Sequence, residues 1–394
     1  MTSDFKVRLQ TREDVEDFVY GCGYLATGGG GPMEDGIEIL NAELDAGNDV
    51  GWVDLDTIPD DAWTVTTARI GGRPAATGGP TPAELATYGL VEPDVHGNEG
   101  GPPGVNRQVV AVRELARFAG REIAAIVSLE LGGATTPGGM VTANRLGIPT
   151  VDGDYTGRAI PELGNMKVEM CGKQSAPLAY VDRWDNVSIL QRVGGSAMAD
   201  RIGRMLGVAS FGRIGMAGYL LTAAEAREAM VPNTLSLCLD MGRAIRRARS
   251  ASRPIEELVH ASKGWLLFKG RVTLAERDIR PFVHFLGTIH LDGIDEFAGQ
   301  TFRMWWKNET HVTWLNDQPL VTSPDQVTAV HNRTLTPVLN PDIFEGFELA
   351  VIGMQAPDPI YRTDIGLAAL SARHFGFDLD YVPIEDQLGP SIGR

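Results

Sequence analysis

Strand-like and helix-like segments alternate through the first part of the chain, and this alternation limits the possible folds more than any other feature. Four apolar runs are typical of short strands: 50–56, 63–70, 123–129 and 148–151. Amphipathic segments at 107–120 and 137–146 separate the last three runs and are predicted to be helices. Alternating strands and helices favour a largely parallel sheet with helices on its faces. We therefore expect an α/β domain over residues 1–170.

The pattern changes in the second part of the chain. Residues 196–230 are rich in Ala, Gly and Met and are predicted to be mostly helical, and 234–250 is predicted to be a helix. Beyond residue 264 come short alternating segments: 265–273, 281–291, 301–307, 311–315, 327–331 and 347–352. They indicate a β-rich (α+β) domain. Because 394 residues are too many for one core, we place a second domain at 171–394, helical first and then β-rich.

Charge and composition exclude several classes of protein. The formal net charge is −16 and the pI is about 4.9, so the chain lacks the basic face of a nucleic-acid-binding protein. It has no signal-peptide-like start and no run of about eighteen apolar residues, so we expect no membrane span. The cysteines, Cys22, Cys171 and Cys238, have no metal-type spacing and fit a reduced compartment. We expect a cytoplasmic protein, of a size compatible with homo-oligomerisation.

A glycine-rich segment precedes one of the predicted helices. The helix that starts at Thr11 is predicted to end near Tyr20, and the loop after it contains four consecutive glycines. Unshielded backbone N–H groups at a helix start form a ready anion site, and a tight packing turn is the alternative. Neither the Walker A spacing nor GxGxxG is present, so we expect no nucleotide. The candidate substrate-binding residues here are Thr27, Gly28, Gly29, Gly30 and Gly31.

Ionisable side chains are dense just after the last strand predicted for the first domain. Asp152, Asp154, Arg158 and Glu162 lie within eleven residues, on backbone that Gly and Pro make irregular. In α/β proteins, ligands bind at the carboxyl ends of the strands, and these residues follow such an end. The alternative is a loop in which Asp forms turns and Arg158 pairs with Glu162 at i,i+4 spacing.

Glu130 follows another predicted strand and precedes two glycines. If it converges with Asp152 and Asp154, these carboxylates can act as a general base or bind a divalent metal, with zinc as the candidate. The alternative for Glu130 is a hydrogen bond to the glycine-rich backbone nearby. The sequence leaves both interpretations open.

Further candidates lie outside these two segments. His96 is in the Gly- and Pro-rich stretch 77–104, predicted to be a long loop or lid, and is a candidate catalytic residue because loops often carry function. Cys171 follows the acidic segment and is a candidate nucleophile, with burial as a small apolar side chain as the alternative. Arg373 and His374 can clamp a substrate carboxylate, or they can dock the end of the chain against the first domain.

Taken together, these segments resemble a bacterial family catalogued as DUF917, which is associated with S-methyl thiohydantoin and thiohydantoin desulfurases. The matching stretches are GCGYLATGGGG at 21–31, VDGDYTGRAIPE at 151–162, TLSLCLDMGRAIR at 234–246, YRTDIGL at 361–367 and RHFGFDLDYVPIE at 373–385. They run in order over nearly the whole chain. Residues 77–104 and the aromatic-rich stretch 304–311 depart from the pattern and are expected to change substrate preference.

The resemblance implies an α/β N-terminal domain, a β-rich C-terminal domain, and work on five-membered cyclic ureides or their sulfur analogues. The best-defined activity is hydrolytic removal of sulfur from a thiohydantoin, as in ergothioneine breakdown. There the ring bears a propionate, and the products are the hydantoin and sulfide. The alternatives are hydrolysis of an S-methyl thiohydantoin, hydantoinase-like ring opening, and a non-catalytic subunit that associates with a hydantoinase.

The implied chemistry allows roles to be assigned as hypotheses. Asp152 or Asp154 is the base, or ligates a metal that lowers the pKa of the attacking water. The amides of the glycine loop hold the ring or the developing anion. Arg158 binds the substrate carboxylate or steadies the acidic pair. Covalent attack by Cys171 is the alternative route.

Overall fold

The computed structural model describes residues 5–71, 80–91, 107–212, 214–280 and 284–391. The helices in this part of the chain are α1 (Arg12–Leu25), α2 (Met33–Asp45), α3 (Pro82–Thr87), α4 (Arg107–Ala119), α5 (Thr135–Leu146), α6 (Lys167–Met170), α7 (Ser196–Ala209), α8 (Ala223–Ala229), α9 (Thr234–Ala248), α10 (Pro254–Ala261), α11 (Asp364–Leu370) and α12 (Ile384–Leu388). None of these helices has both the length and the apolar character that crossing a bilayer requires.

The strands of the described residues form two large sheets and one small pair. They are β1 (Val7–Leu9), β2 (Val50–Trp52), β3 (Trp63–Ile70), β4 (Ile123–Ser128), β5 (Thr150–Asp154), β6 (Leu178–Val181), β7 (Val187–Leu190), β8 (Ile214–Thr222), β9 (Val231–Pro232), β10 (Trp265–Arg280), β11 (His284–Gly293), β12 (Thr301–Lys307), β13 (Glu309–Leu315), β14 (Gln318–Thr322), β15 (Gln326–His331) and β16 (Glu348–Met354). Strands β1 and β2 form the small pair.

The first large sheet has the strand order β7-β6-β8-β3-β4-β5-β9. Its central pairs, β3–β4 and β4–β5, are parallel, and the flanking pairs are antiparallel. The predicted α/β class is confirmed, with parallel pairing concentrated at the centre. Strands β6 to β9 follow residue 170, so the predicted division at that point runs between strands of one sheet.

Helices cover both faces of this sheet. On one face Val112 and Leu115 of α4 pack against Val65 of β3 and Ile126 of β4. On the other face, side chains of α7 and α8 share a core with the alternate residues of the same strands and with the segment after β5. The central strands are therefore buried on both sides, as parallel strands usually are.

The second large sheet has the order β14-β13-β12-β11-β10-β16-β15, and every pairing in it is antiparallel. The prediction of a β-rich C-terminal domain is confirmed. Two of its strands, β15 and β16, place Val330 and Ala350 in the same core as α1 and α9. Backbone bonds add to this contact, because Thr310 N donates to Thr27 O (3.0 Å) and Asn340 N donates to Gly28 O (2.9 Å). The glycine loop is thus fixed to the second sheet.

Helix α1 continues five residues past its predicted end at Tyr20. Gly21 lies so close to α9 that a Cβ there would collide with the backbone of Cys238, and Gly242 of α9 lies equally close to Asp17. These glycines allow two helix backbones to touch, which a residue with a side chain would prevent. The loop that the sequence predicted from residue 21 therefore starts only at Ala26, the C-cap.

Strand β8 was predicted to be helical, and this prediction is wrong. The strand is buried on both faces over most of its length, so its residues show no alternation of polar and apolar types. Gly215 and Gly218 allow the backbone of Arg107 and the side chain of Leu178 to approach closely. A strand of small, fully buried residues has the same composition as a buried helix, which explains the error.

Candidate active site between the two sheets

A cavity of about 200 Å³ lies where the two domains meet. The first domain lines it with residues at or after the carboxyl ends of the parallel strands, including Arg69 of β3, Glu130 after β4 and Glu162 after β5. The second domain contributes Asn308 and Glu309, at the turn between β12 and β13. The cavity is therefore at the position where α/β sheets ordinarily bind ligands.

The glycine loop forms one wall of this cavity. Gly28 to Gly31 all line it, and the loop leads into α2, whose N-cap residue, Pro32, provides no side-chain hydrogen bond. Gly29 N donates to Ala26 O (3.1 Å), whereas the amides of Gly28, Gly30 and Gly31 have no acceptor within the described part of the chain. Unpaired amides beside the positive end of a helix dipole favour an electronegative group of a ligand.

Glu130 is the predicted site residue that reaches the cavity with its carboxylate held in place. Its Oε2 accepts a hydrogen bond from Ile160 N (2.9 Å), and its Oε1 accepts one from Thr135 Oγ1 (3.2 Å). Burial raises the pKa of Glu130 to about 7, and the negative charge of Asp154 adds to the rise. Near neutral pH this carboxyl can therefore either take or give a proton.

Glu309 is a second carboxyl in the cavity wall, and the sequence did not single it out. Its side chain is almost fully buried, and its Oε2 has no hydrogen-bond partner among the described residues. Burial raises the pKa of Glu309 well above its ordinary value, and the negative charge of Glu130 raises it further. The protonated form is thus favoured, and it can donate a hydrogen bond or a proton to a ligand.

The cavity is also lined by three charged residues that are held in ion pairs: Asp200, Arg204 and Glu162. Arg204 of α7 binds Asp200 through its Nε (2.6 Å) and Nη2 (3.1 Å), and its Nη2 also donates to Pro161 O (2.7 Å). The positive charge of Arg204 favours the ionised forms of Glu130 and Glu309. Glu162 is paired with Lys307, and its neighbours His374 and Lys307 hold its pKa well below the ordinary value.

Asp152 does not line the cavity, and its carboxylate binds backbone amides at the start of α9. Its Oδ1 accepts hydrogen bonds from Leu235 N (3.1 Å) and Ser236 N (3.0 Å), and its Oδ2 accepts one from Ser236 Oγ (2.6 Å) and pairs with Lys6 (2.9 Å). A carboxylate that satisfies the free amides of a helix start is used structurally. The expected convergence of Asp152 with Glu130 in one site does not occur in this arrangement.

Asp154 also lies outside the cavity lining, behind Glu130. Its Oδ2 accepts bonds from Thr156 N (3.0 Å), Thr156 Oγ1 (2.7 Å) and Gly157 N (2.8 Å), and so shapes the loop that continues to Ile160. Burial raises the pKa of Asp154 to about 6. Asp154 acts on the cavity through the loop that holds Glu130 and through its negative charge, which raises the pKa of Glu130.

Two further residues that the sequence proposed for the site, Arg158 and Arg373, do not line the cavity. Arg158 is fully buried behind the glycine loop and does not line the cavity, and its expected i,i+4 partner Glu162 pairs with Lys307 instead. Arg373 forms surface ion pairs with Asp378 (3.1 Å) and Asp380 (2.9 Å). Both partners belong to the same C-terminal segment as Arg373, and Arg373 does not line the cavity.

His374 and Cys171 lie outside the cavity lining. His374 Nδ1 is 3.2 Å from Ala368 O, and its Nε2 is 3.3 Å from Asn165 Nδ2 and 3.7 Å from Oε2 of Glu162, which lines the cavity. Burial raises the pKa of the Cys171 thiol, which disfavours the thiolate that a nucleophile needs. His96 lies outside the described residues.

No group of three or more His, Cys, Asp or Glu side chains in the described ranges is arranged to share a metal ion. Glu130 and Glu309 are the carboxyls of the cavity that lack a cationic partner at ion-pair distance in that part of the chain. Two carboxyls are fewer than the three protein ligands that a catalytic zinc site ordinarily has. The described donors therefore do not supply a complete site for the predicted zinc.

Little in the sequence indicates the cavity residues that the second sheet and α7 contribute. Glu309 begins a strand after a turn, which is an ordinary place for a charged residue. Arg204 and Asp200 are four residues apart on a helix and look like a surface ion pair. The single available signal was that Asn308 and Glu309 interrupt two apolar, aromatic strands.

The fold defines a two-domain α/β protein with a small cavity at the domain boundary. The chain belongs to the S-Me-THD-like family: the family's N-terminal domain matches residues 13–192 and its C-terminal domain matches residues 195–384. This confirms the resemblance to the thiohydantoin desulfurase-like proteins.

A crystal structure of a protein from Chromobacterium violaceum is similar over 96% of this chain and 100% of that chain, with a TM-score of 0.73 and 21% sequence identity. At this identity the similarity shows a shared fold. No curated protein matches the chain.

Proposed function

We propose that this protein is a hydrolase that removes sulfur from a thiohydantoin ring bound in the cavity and releases the hydantoin and sulfide. The family assignment supports an enzyme of this kind. The observation that carries the proposal is the pair of buried carboxyls, Glu130 and Glu309, in one cavity with the unpaired amides of the glycine loop. Together they supply a base, an acid and an anion site.

The size of the cavity favours a small substrate. Its volume of about 200 Å³ is below the range of roughly 300–1,000 Å³ that drug-sized ligands occupy. A five-membered ring with a short side chain is of suitable size, and a dinucleotide is too large. The substrate we propose is the thiohydantoin with a 5-propionate group that arises in ergothioneine breakdown.

In the first step a water molecule attacks the thiocarbonyl carbon of the ring. Ionised Glu130 takes a proton from this water as the new C–O bond forms, and the electron pair of the C=S bond moves to sulfur. The amides of Gly28, Gly30 and Gly31 are the groups that stabilise the negative charge on sulfur. The product of this step is a tetrahedral intermediate that carries a hydroxyl group and a thiolate.

In the second step protonated Glu309 gives its proton to the sulfur, and the C–S bond breaks. The hydroxyl proton of the intermediate passes back to Glu309 as the carbonyl forms, and hydrosulfide leaves. Hydrosulfide then takes the proton held by Glu130, so both carboxyls regain their starting states. Donors around the sulfur suit an unmethylated sulfur, because a thiolate or thiocarbonyl accepts hydrogen bonds and a methylated sulfur accepts them weakly.

The test is an assay of the purified protein with the 5-propionate thiohydantoin. Sulfide, loss of the thiocarbonyl absorbance and the hydantoin product are followed together, with the S-methyl analogue measured in parallel. The proposal predicts equal amounts of sulfide and hydantoin, and oxygen from labelled water in the product. Ring opening without sulfide, methanethiol release from the S-methyl analogue alone, or binding of either compound without turnover would each overturn it.

A further inference from the structure

Arg158 is a fully buried cation whose partners are all neutral. Its Nη2 donates to Thr27 Oγ1 (3.0 Å) and Thr310 O (3.4 Å), its Nη1 to Pro324 O (3.3 Å) and its Nε to Ala159 O (3.1 Å). No carboxylate of the described residues lies within 4.0 Å of its guanidinium. Burying a guanidinium without an ionic partner is costly, so its position calls for an explanation beyond packing.

Two of the hydrogen-bond acceptors of Arg158, Thr27 and Thr310, are immediate chain neighbours of cavity residues. Thr27 precedes Gly28 and has a positive φ of 54°, a strained conformation that its surroundings must hold. Thr310 follows Glu309, and its amide donates to Thr27 O (3.0 Å). Arg158 therefore holds together the glycine loop of the first domain and the strand of the second domain that carries Glu309.

The charge of Arg158 also acts on the cavity across a buried, poorly screened region. The groups that face Glu309 electrostatically are Glu130, which disfavours its ionisation, and Arg158 and Arg204, which favour it. For Glu130, the negative charge of Asp154 disfavours ionisation and the positive charge of Arg204 favours it. Arg158 itself also interacts with the negative charge of Asp325 and with the phenol of Tyr361.

We propose that Arg158 is a positioning residue of this site, which holds Gly28 and Glu309 in register and stabilises negative charge on the Glu309 carboxyl when it gives up its proton. The kinetic part of this inference rests on the proposed function. The electrostatic part does not, because the protonation of Glu309 can be followed without any substrate.

The first experiment follows the protonation of Glu309 by infrared difference spectroscopy as the pH is changed. The carboxylic acid band of Glu309 is identified by its loss in Glu309→Gln. In Arg158→Met the titration is expected to move to higher pH by about one unit or more, because the ionised carboxyl loses a nearby cation. In Arg158→Lys the shift is expected to be smaller. Identical titrations in the wild type and Arg158→Met would overturn the proposal.

A matched control is Arg249→Met, since Arg249 also donates to neutral acceptors, Thr334 O (2.8 Å) and Thr336 Oγ1 (3.3 Å), but is exposed. It is expected to leave the Glu309 titration unchanged. If it shifts the titration as much as Arg158→Met does, the effect is not specific to Arg158 and the proposal fails. If Arg158→Met does not fold, the neutral variant Arg158→Gln takes its place, and a titration identical to that of the wild type would again overturn the proposal.

The second experiment separates geometry from charge with Thr27→Val, which removes one of the two acceptors of Nη2 and keeps the cation. It is expected to lower kcat for sulfide release about ten-fold or more through misplacement of the glycine loop, with the Glu309 titration unmoved. A purely structural residue would lower the thermal stability of both variants and leave kcat and the titration of the folded protein as in the wild type. If the wild type releases no sulfide, the proposed function fails, and the infrared result still decides the role of Arg158.

Discussion

The carboxyl group of Glu309 lies directly against the Cα of Gly29, so close that a Cβ atom on residue 29 would overlap its Oε1. These two residues come from different domains and face each other across the wall of the cavity. The glycine loop is therefore required at this point for more than its free amides. It leaves the space in which the buried acid of the second domain is placed.

Gly29→Ala is expected to abolish most of the activity. The added methyl group has to displace the Glu309 carboxyl, and a misplacement of about 1 Å can lower kcat about 100-fold. Overpacking is expected to reduce the free energy of unfolding by about 1–3 kcal/mol. Sulfide release and urea unfolding measure the two effects.

The matched control is Gly139→Ala, in helix α5. A Cβ at Gly139 would meet no atom within 4 Å. Turnover of this variant is expected to equal that of the wild type, with a change in unfolding free energy of about 1 kcal/mol or less. Equal losses of activity in the two variants would contradict the specific role of the contact between Gly29 and Glu309.

The pH dependence of kcat/KM is expected to follow the ionisation of Glu130. A general base acts only when it is deprotonated, so the rate should rise with pH and level off above a midpoint near the pKa of about 7. Glu130→Gln is expected to remove this rising limb and to lower kcat about 100-fold or more. A limb that persists unchanged in Glu130→Gln would assign the base to another group.

Asp152 is expected to matter for stability and not for chemistry. Asp152→Ala leaves two amides at the start of α9 without their acceptor and removes one of the two carboxylates that pair with Lys6, so the free energy of unfolding should fall by about 2 kcal/mol. Turnover per folded molecule should stay within about two-fold of the wild type because Asp152 does not line the cavity. Asp49→Ala, which removes an exposed partner of Arg8, is the control and should change neither quantity. Loss of turnover in folded Asp152→Ala would return Asp152 to the catalytic candidates.

Cys171→Ser is expected to retain full activity. The thiol does not line the cavity, and burial raises its pKa, so a covalent route through Cys171 is disfavoured. Alkylation with iodoacetamide should likewise leave sulfide release unchanged in the wild type. A variant that binds the substrate but has lost turnover would revive the nucleophilic route.

The sequence predicted the fold best where one face of an element is buried and the other is not. Helix α9 was predicted within about two residues, because its apolar spacing is regular. Strand β8 is buried on both faces and was missed for that reason. The end of α1 was misplaced because glycine marks both loops and close helix contacts, and only the partner helix distinguishes the two.

The site was predictable in part. The glycine loop and Glu130 were proposed from local sequence, and both line the cavity. Glu309 was not, because its environment is created by a loop far away in the chain. Asp152 and Arg158 look like site residues in the sequence, since ionisable groups on irregular backbone serve helix starts and buried scaffolds as readily as ligands. Local sequence does not show that Asp152 binds Ser236 or that Arg158 binds Thr27.

The most direct test of the account is the single-turnover release of sulfide from the 5-propionate thiohydantoin by the wild type and by Glu309→Gln. The account predicts one sulfide and one hydantoin per active site in the wild type, and release slowed about 100-fold or more in Glu309→Gln with the substrate still bound. Sulfide release at the wild-type rate by Glu309→Gln would contradict the assignment of this cavity as the active site.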